Sequence, residues 1–377
     1  MNFIAERNDL LTAVKSMIKI VTVTSKMVEL RGFLIDCDED TGEITLTATN
    51  FEASIQRKIK ASVGASGSFV IDAQIFMKML TLVDSSQISF CEESSARVEI
   101  KGNSCKYSVN VLSAKSYPRP ELPFPEDTIK VSGICKLYEK TVASVANNNS
   151  TLFLTGIHLD IYSDCIEAFG CDGTRLATAA HTVDTGGKLS VTIPKSSFSY
   201  LAGAVEDGDV LNAGICGNFL VFTMQNMLFS ARIITENYID TGLLLENLNI
   251  KYTAKVNSKR LEDAITMIIA CVNSSMAAKA EPRVNMRFSK NEIILTTKNA
   301  VSSSHVPIDA VISKNNMPTG GFWYNPFSFL DCFDTVEGEI SLQIDESGIL
   351  LAENENAKYM LRNVRPRKLK IQSEEAA

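Results

Sequence analysis

The decapeptide GCDGTRLATA, residues 170–179, lies near the middle of the chain. Its Asp172-Gly173 pair stands between two apolar runs and predicts a hairpin, because both residues tolerate the positive φ that a type I′ turn demands. A turn alone has no need of the Arg175-Leu176 pair that follows. Two other stretches occupy the equivalent place in their own surroundings, 49–54 (TNFEAS) and 297–302 (TKNAVS), and neither carries such a pair. The middle copy therefore holds something beyond a chain reversal.

The equivalence rests on a threefold repeat. Segments 8–21 (NDLLTAVKSMIKIV), 135–146 (CKLYEKTVASVA) and 257–272 (NSKRLEDAITMIIACV) all space their apolar residues by three and four, as a one-faced helix requires. Leu10, Leu137 and Leu261 are roughly 125 residues apart. A second set keeps this phase: 69–80, 191–201 and 322–330 each read as a short strand running into a helix. Asp72 and Asn325 suit helix N-caps there, and Pro194 suits a helix start. The pattern predicts an α+β chain of three repeated domains, 1–127, 128–249 and 250–366, with a flexible extension over 367–377. Each domain is expected to pack two helices on antiparallel sheets. The joints fall in the proline-rich 117–127 (YPRPELPFPED) and, less clearly marked, in 243–252 (LLLENLNIKY). Similar domains joined in similar ways are related by a constant rotation, which closes a ring or runs into a filament.

Composition narrows the function. Net charge is −7 over 377 residues, which by itself argues against a tight grip on nucleic acid. The nine cysteines form no C-x-x-C, and the start MNFIAERNDLL lacks the layout of a signal peptide. No apolar run reaches the 18 residues of a membrane span. A cytoplasmic chain with reduced thiols and no membrane contact is expected. The three histidines, His158, His181 and His305, have no metal-ligand spacing. The acidic run from Asp36 to Asp40 reads as a hairpin turn and not as a calcium loop. No G-x-S-x-G, Walker A or G-x-G-x-x-G motif is present, so neither an enzyme nor a cofactor is expected.

With its three repeats and D-G-x-R-L in the middle one, the chain resembles the bacterial sliding clamp family, the beta subunit of DNA polymerase III. The likeness takes in TATNFEASI in repeat one, ENYIDTGLLLE (236–246) closing repeat two and YMLRNVR (359–365) closing repeat three. The resemblance implies a head-to-tail homodimeric ring that encircles duplex DNA and makes a polymerase processive. It also implies a hydrophobic pocket for short linear peptides of the polymerase III alpha subunit, the clamp loader and repair proteins. Carried over by position, that pocket takes Leu154, Cys171, Gly173, Thr174, Arg175 and Leu176. One wall comes from Ile239, Leu243 and Leu244, the other from Met360, Arg362, Val364 and Arg365. An apolar groove with one or two fixed cations suits a peptide with apolar anchors and an acidic or polar neighbour. The chain departs from the family pattern at Thr174 (usually His), Ile239 (usually Pro) and Arg362-Asn363 (usually an apolar residue and Pro).

Six expected helical segments carry eight basic and seven acidic residues, +1 against −7 for the whole. A weakly basic inner face suits a ring that must slide. Expected contacts with DNA are Lys15, Lys19, Lys78, Lys136, Lys140 and Lys259 on helices, with Lys26, Asn148, Lys279 and Arg283 on loops. Such groups donate to phosphates without reading bases. Tyr107 of one chain and Val272 of the other are expected at the ring's joint. One alternative is a clamp-fold ring scaffold that binds peptides without serving replication, favoured by the acidic Asp331 and Asp334 on the last helix. Another is an enzyme with a site among Cys165, Cys171 and Asp172, whose sign is a thiol that reacts unusually fast at neutral pH.

Overall fold

The computed structural model describes residues 1–364 apart from Glu121, Pro123, 273–281, 299–301, 315–319, 334–335 and 337. The chain forms two compact units. One comprises Met1–Tyr138, Gly156–Ile166 and His181–Glu236; the other comprises Glu139–Thr155, Glu167–Ala180 and Asn237–Ala377. The middle repeat contributes segments to both.

Seven α-helices form among the described residues: α1 (Arg7–Met17), α2 (Ala73–Leu82), α3 (Ile134–Thr141), α4 (Lys195–Ala202), α5 (Thr241–Glu246), α6 (Ser258–Val272) and α7 (Pro326–Phe333). The expected pair in each repeat is α1 with α2, α3 with α4 and α6 with α7. Two of the predicted helices are shorter than their apolar spacing suggests. The run 8–21 turns 3₁₀ at Ile18–Ile20, and 135–146 does so at Val142–Ser144. Spacings of three and four fit both helix types, so periodicity alone does not mark the change. The Asp72 carboxylate accepts the Ile75 N–H at 2.8 Å, capping α2 as its sequence predicts. Pro194 is the N-cap of α4, one place earlier than the first-turn position read for it.

The first unit is built on a 13-stranded sheet system among the described residues. Beneath it Phe3 stacks on Phe90 at 4.3 Å, and Phe76 meets both Phe33 and Phe90 edge-on. The acidic run is a turn, as expected, between the strands Gly32–Asp38 and Glu43–Thr49. The first expected joint starts with residues tied into the first unit. Tyr117 is buried with its hydroxyl donating to the Thr47 carbonyl at 3.3 Å, and Arg119 forms a two-pronged bond to Asp36. These residues belong to the first unit's fold.

In the second unit the hairpin within Glu167–Ala180 leads a sheet through Ala357–Leu361, Leu350–Glu353, Glu339–Asp345, Ile250–Asn257 and Val311–Lys314. A second sheet orders Ser303–Asp309, Glu292–Lys298, Val284–Phe288 and Phe322–Tyr324. Leu261, Ile265 and Ile268 of α6 share a core with Phe329 and Cys332 of α7. Tyr324 stacks on Phe329 and donates its hydroxyl to the Gly348 carbonyl at 2.9 Å, so its buried polar end is satisfied. The pairing from Arg175 opposite Leu361 to Ala179 opposite Ala357 joins the hairpin to the last strand. The second expected joint, 243–252, holds most of α5 and the start of Ile250–Asn257; Asp240 caps α5 by accepting the Leu243 N–H at 2.9 Å. No helix among the described residues is long and apolar enough to cross a membrane.

Candidate functional site

The opening decapeptide is a hairpin, but its corner differs from the predicted one. The strands Cys165–Cys171 and Arg175–Thr182 close through Asp172, whose N–H reaches the Arg175 carbonyl at 3.2 Å. Positive φ is confined to Gly173 (+89°); Asp172 keeps negative φ, so the type I′ reading is corrected. Asp172 is instead the anchor of the corner. Its Oδ1 accepts the N–H and hydroxyl of Thr174 at 2.9 and 2.7 Å and the Arg175 N–H at 3.0 Å. Local bonds of this kind hold a short polar side chain against its own turn.

Arg175 is the element a bare turn would not need. Its Nε donates to Asp172 Oδ2 at 2.8 Å and its terminal nitrogen to Asp331 Oδ2 at 2.7 Å. Burial works against the charged guanidinium, but the bonds to Asp331 and Asp172 outweigh it and hold the pKa above the ordinary value. The arginine is therefore not a cation waiting for a ligand. It ties the hairpin to α7 and is matched by two carboxylates. The same bond removes Asp331 as an argument for a non-replicative scaffold. Asp334 lies outside the described residues.

Around this tie lies a cavity of about 1130 Å³. Of the residues expected there, Leu154, Cys171, Gly173, Thr174, Arg175, Ile239, Leu244, Met360, Arg362 and Val364 line it. Two others do not. Leu176 is buried, because successive strand residues face opposite ways and Arg175 takes the cavity side. Leu243 is 57% exposed on α5, one residue and so about 100° around the helix from Leu244. Arg365 lies outside the described residues. Asn363, named above as a departure from the family pattern, also lines the cavity, as do Phe153, Pro282, Asn325, Ser328, Ser347, Ile349 and Leu361, for which the sequence reading has no expectation. Phe153 had a signal in its neighbour Leu154, and Asn325 in its role as cap of α7, where it accepts the Phe327 N–H at 3.0 Å. Ser347 and Ile349 carry none, since they arrive through the tertiary fold.

The last wall is fixed by backbone. Arg362 N–H donates to the Thr174 carbonyl at 3.0 Å and Val364 N–H to the Trp323 carbonyl at 2.7 Å. Between them Asn363 accepts the Trp323 N–H at 3.2 Å and donates to the Ser347 carbonyl at 3.1 Å. Behind Leu154, Phe153 meets Tyr238 edge-on at 5.6 Å. Cys171 is buried, and burial raises its thiol pKa against a modest opposing bond from the Gly173 N–H. A reactive nucleophile needs the opposite shift, so the thiol-enzyme reading finds no support at Cys171.

The residues expected near DNA have mixed surroundings. Lys15, Lys19, Lys26, Lys78, Lys136 and Asn148 are exposed, whereas Lys140 and Arg283 are half-buried. Lys259 is exposed but bonded to Glu262 at 3.0 Å and beside Asp263 at 3.6 Å, so its charge is largely matched. Lys279 lies outside the described residues. Tyr107 sits on Lys106–Asn110, the terminal strand of the first unit's sheet order, whose outer row of backbone groups has no strand partner among the described residues. Val272 ends α6 and packs partly against its own unit's core.

Comparison with known proteins gives one consistent relationship. The family model for the DNA polymerase III beta subunit N-terminal domain matches residues 1–123, and that for its central domain matches 128–240. Together they cover well over half of the chain. The beta sliding clamp of Rickettsia felis is 23% identical over 273 residues, 69% of this chain and 72% of that one. The beta sliding clamp of Chlamydia muridarum is 24% identical over 370 residues, 92% of this chain and 93% of that one. A putative DNA polymerase III beta subunit from Eubacterium rectale has the same fold at a TM-score of 0.88. It is 19% identical, with 97% of this chain and 100% of that one covered. Repeats, fold and both family models agree: the chain belongs to the DNA polymerase III beta subunit family, the bacterial beta sliding clamps.

Proposed function

We propose that this chain is a replicative DNA sliding clamp, a homodimeric head-to-tail ring that encircles duplex DNA and tethers partner proteins through the cavity at Asp172–Arg175. The observation that carries the tether is the cavity itself. Separate segments, among them the hairpin, the stretch around α5 and residues 360–364, converge on one mostly apolar concavity held by its own hydrogen bonds. Such a groove suits short linear peptides with apolar anchors, here those of the polymerase III alpha subunit, the clamp loader and repair proteins. The domains run 1–127, 128–249 and 250–366.

The exposed lysines of α1, α2 and α3 are the groups offered to phosphate, and contacts of that type are independent of sequence. A chain of net charge −7 holds DNA poorly by affinity, so retention is topological. The ring's joint uses the open strand edge that carries Tyr107. The protein works in the cytoplasm, as a non-enzymatic tether.

The test loads the protein on closed circular DNA and then cuts the circle. Retention on circles with loss from cut ends, by a species whose light-scattering mass is that of a dimer, supports the proposal. A monomer at every concentration, or retention indifferent to cutting, refutes it.

A further inference from the structure

Eighteen residues line the cavity, and only Arg175 and Arg362 among them are charged. Their situations differ. The Arg175 guanidinium bonds Asp172 through one nitrogen and Asp331 through another, so the hairpin end carries one cation against two carboxylates.

Arg362 is placed by its backbone alone. Its N–H is fixed to the Thr174 carbonyl, the side chain is exposed, and its guanidinium makes no hydrogen bond or ion pair among the described residues. The flanking Met360 and Val364 also line the cavity, so a peptide covering this wall passes beside the arginine. The cavity thus has one uncommitted cation, on its last wall, among lining that is otherwise mostly apolar, while the cation of its hairpin is already matched by two carboxylates. An arginine's planar fork suits a carboxylate better than any other common side-chain partner.

We infer that Arg362 is the specificity-determining residue of this pocket: it selects peptides that place a Glu or Asp beside the chain's last wall. Arg175 positions the hairpin and does not read the ligand. The inference rests on the reading of the cavity as a peptide site and names the chemistry of its occupant. Because Arg362 is exposed, the gain from one matched carboxylate is modest, about threefold in Kd at low salt, and it shrinks as ions screen the pair.

The experiment uses fluorescent hexapeptides with Leu and Phe anchors and one Glu, Gln or Lys moved through the remaining positions. Binding to the full chain is read by polarisation at low and high salt. At one position the native chain should favour Glu over Gln about threefold. Arg362→Gln should abolish that preference, and Arg362→Glu should reverse it in favour of Lys. A Glu preference that survives Arg362→Gln, or Glu and Gln peptides bound equally at every position, overturns the inference and leaves the pocket standing. Failure of every peptide to bind the native chain removes the peptide site itself, and the inference with it.

Discussion

Arg175→Met keeps the aliphatic stem and deletes the guanidinium that joins the hairpin to α7. Asp172, 18% exposed, loses the bond from Nε but keeps those from the Thr174 N–H and hydroxyl and from the residue-175 N–H. It is therefore weakened and not stranded. A hydrogen bond to a charged group contributes about 1.5–3 kcal/mol. Asp331 is 48% exposed, and an exposed pair contributes only about 0.2–1 kcal/mol. The substitution should thus destabilise the second unit by about 3 kcal/mol, with most of it on the Asp172 side. The assay is a double-mutant cycle with Asp172→Asn and Asp331→Asn, read by denaturant unfolding. Trp323 is the chain's single tryptophan, and its backbone bonds Asn363 and Val364 beside the cavity, so its fluorescence follows this unit specifically. Coupling of Arg175 to Asp172 should be about 2 kcal/mol and to Asp331 about 1 kcal/mol or less. An Asp331 coupling equal to or above that of Asp172, or a cost for Arg175→Met below about 0.5 kcal/mol, would refute the assignment of the tie.

Four further outcomes are expected. Gly173→Ala should cost about 1–2 kcal/mol in the same fluorescence assay, because φ is +89° while an added Cβ meets nothing nearer than Leu154 at 4.0 Å; the penalty is conformational and not steric. Gly348→Ala drives a Cβ into the Phe322 ring and to 2.5 Å from Asn363 Nδ2, so it should displace the last wall and weaken peptide binding, seen as a raised Kd with the helical signal retained. Lys101 and Lys106 hold the Glu99 carboxyl down to about 2, against an ordinary value of about 4.3. A depressed carboxyl stabilises the fold above its ordinary pKa and ceases to do so as pH falls to the folded one. Glu99→Gln should therefore be less stable than the native chain at neutral pH, with the gap closing between about pH 5 and pH 2 when unfolding is followed in acid. Cys37 and Cys332, whose thiols burial pushes up to about 12, should resist iodoacetamide at pH 8 while exposed Cys91 is alkylated, as peptide mass mapping would show.

The repeated helix pairs and the corner at Asp172-Gly173 are legible in neighbouring residues alone. Apolar spacing in 8–21 and 257–272 is a local property, since a helix must turn one stripe inward wherever it sits, and α1 and α6 follow from it. Asp172-Gly173 made a corner legible for the same reason, and the Arg175-Leu176 pair marked that corner as more than a turn. What Arg175 does was not legible. Its partner Asp331 is 156 residues away, and only the pairing of Arg175–Ala179 with Ala357–Leu361 brings α7 within reach. Read alone, Arg175 is a free cation and Asp331 an unwelcome charge on a helix; brought together they neutralise each other, and the selective charge moves to Arg362. Ser347 and Ile349 reach the cavity with no motif of their own, and the 3₁₀ turns after α1 and α3 hide in a spacing that both helix types satisfy. Periodicity and turn chemistry are written in neighbouring residues, whereas charge balance in a cavity is a sum over side chains that only the folded chain makes neighbours.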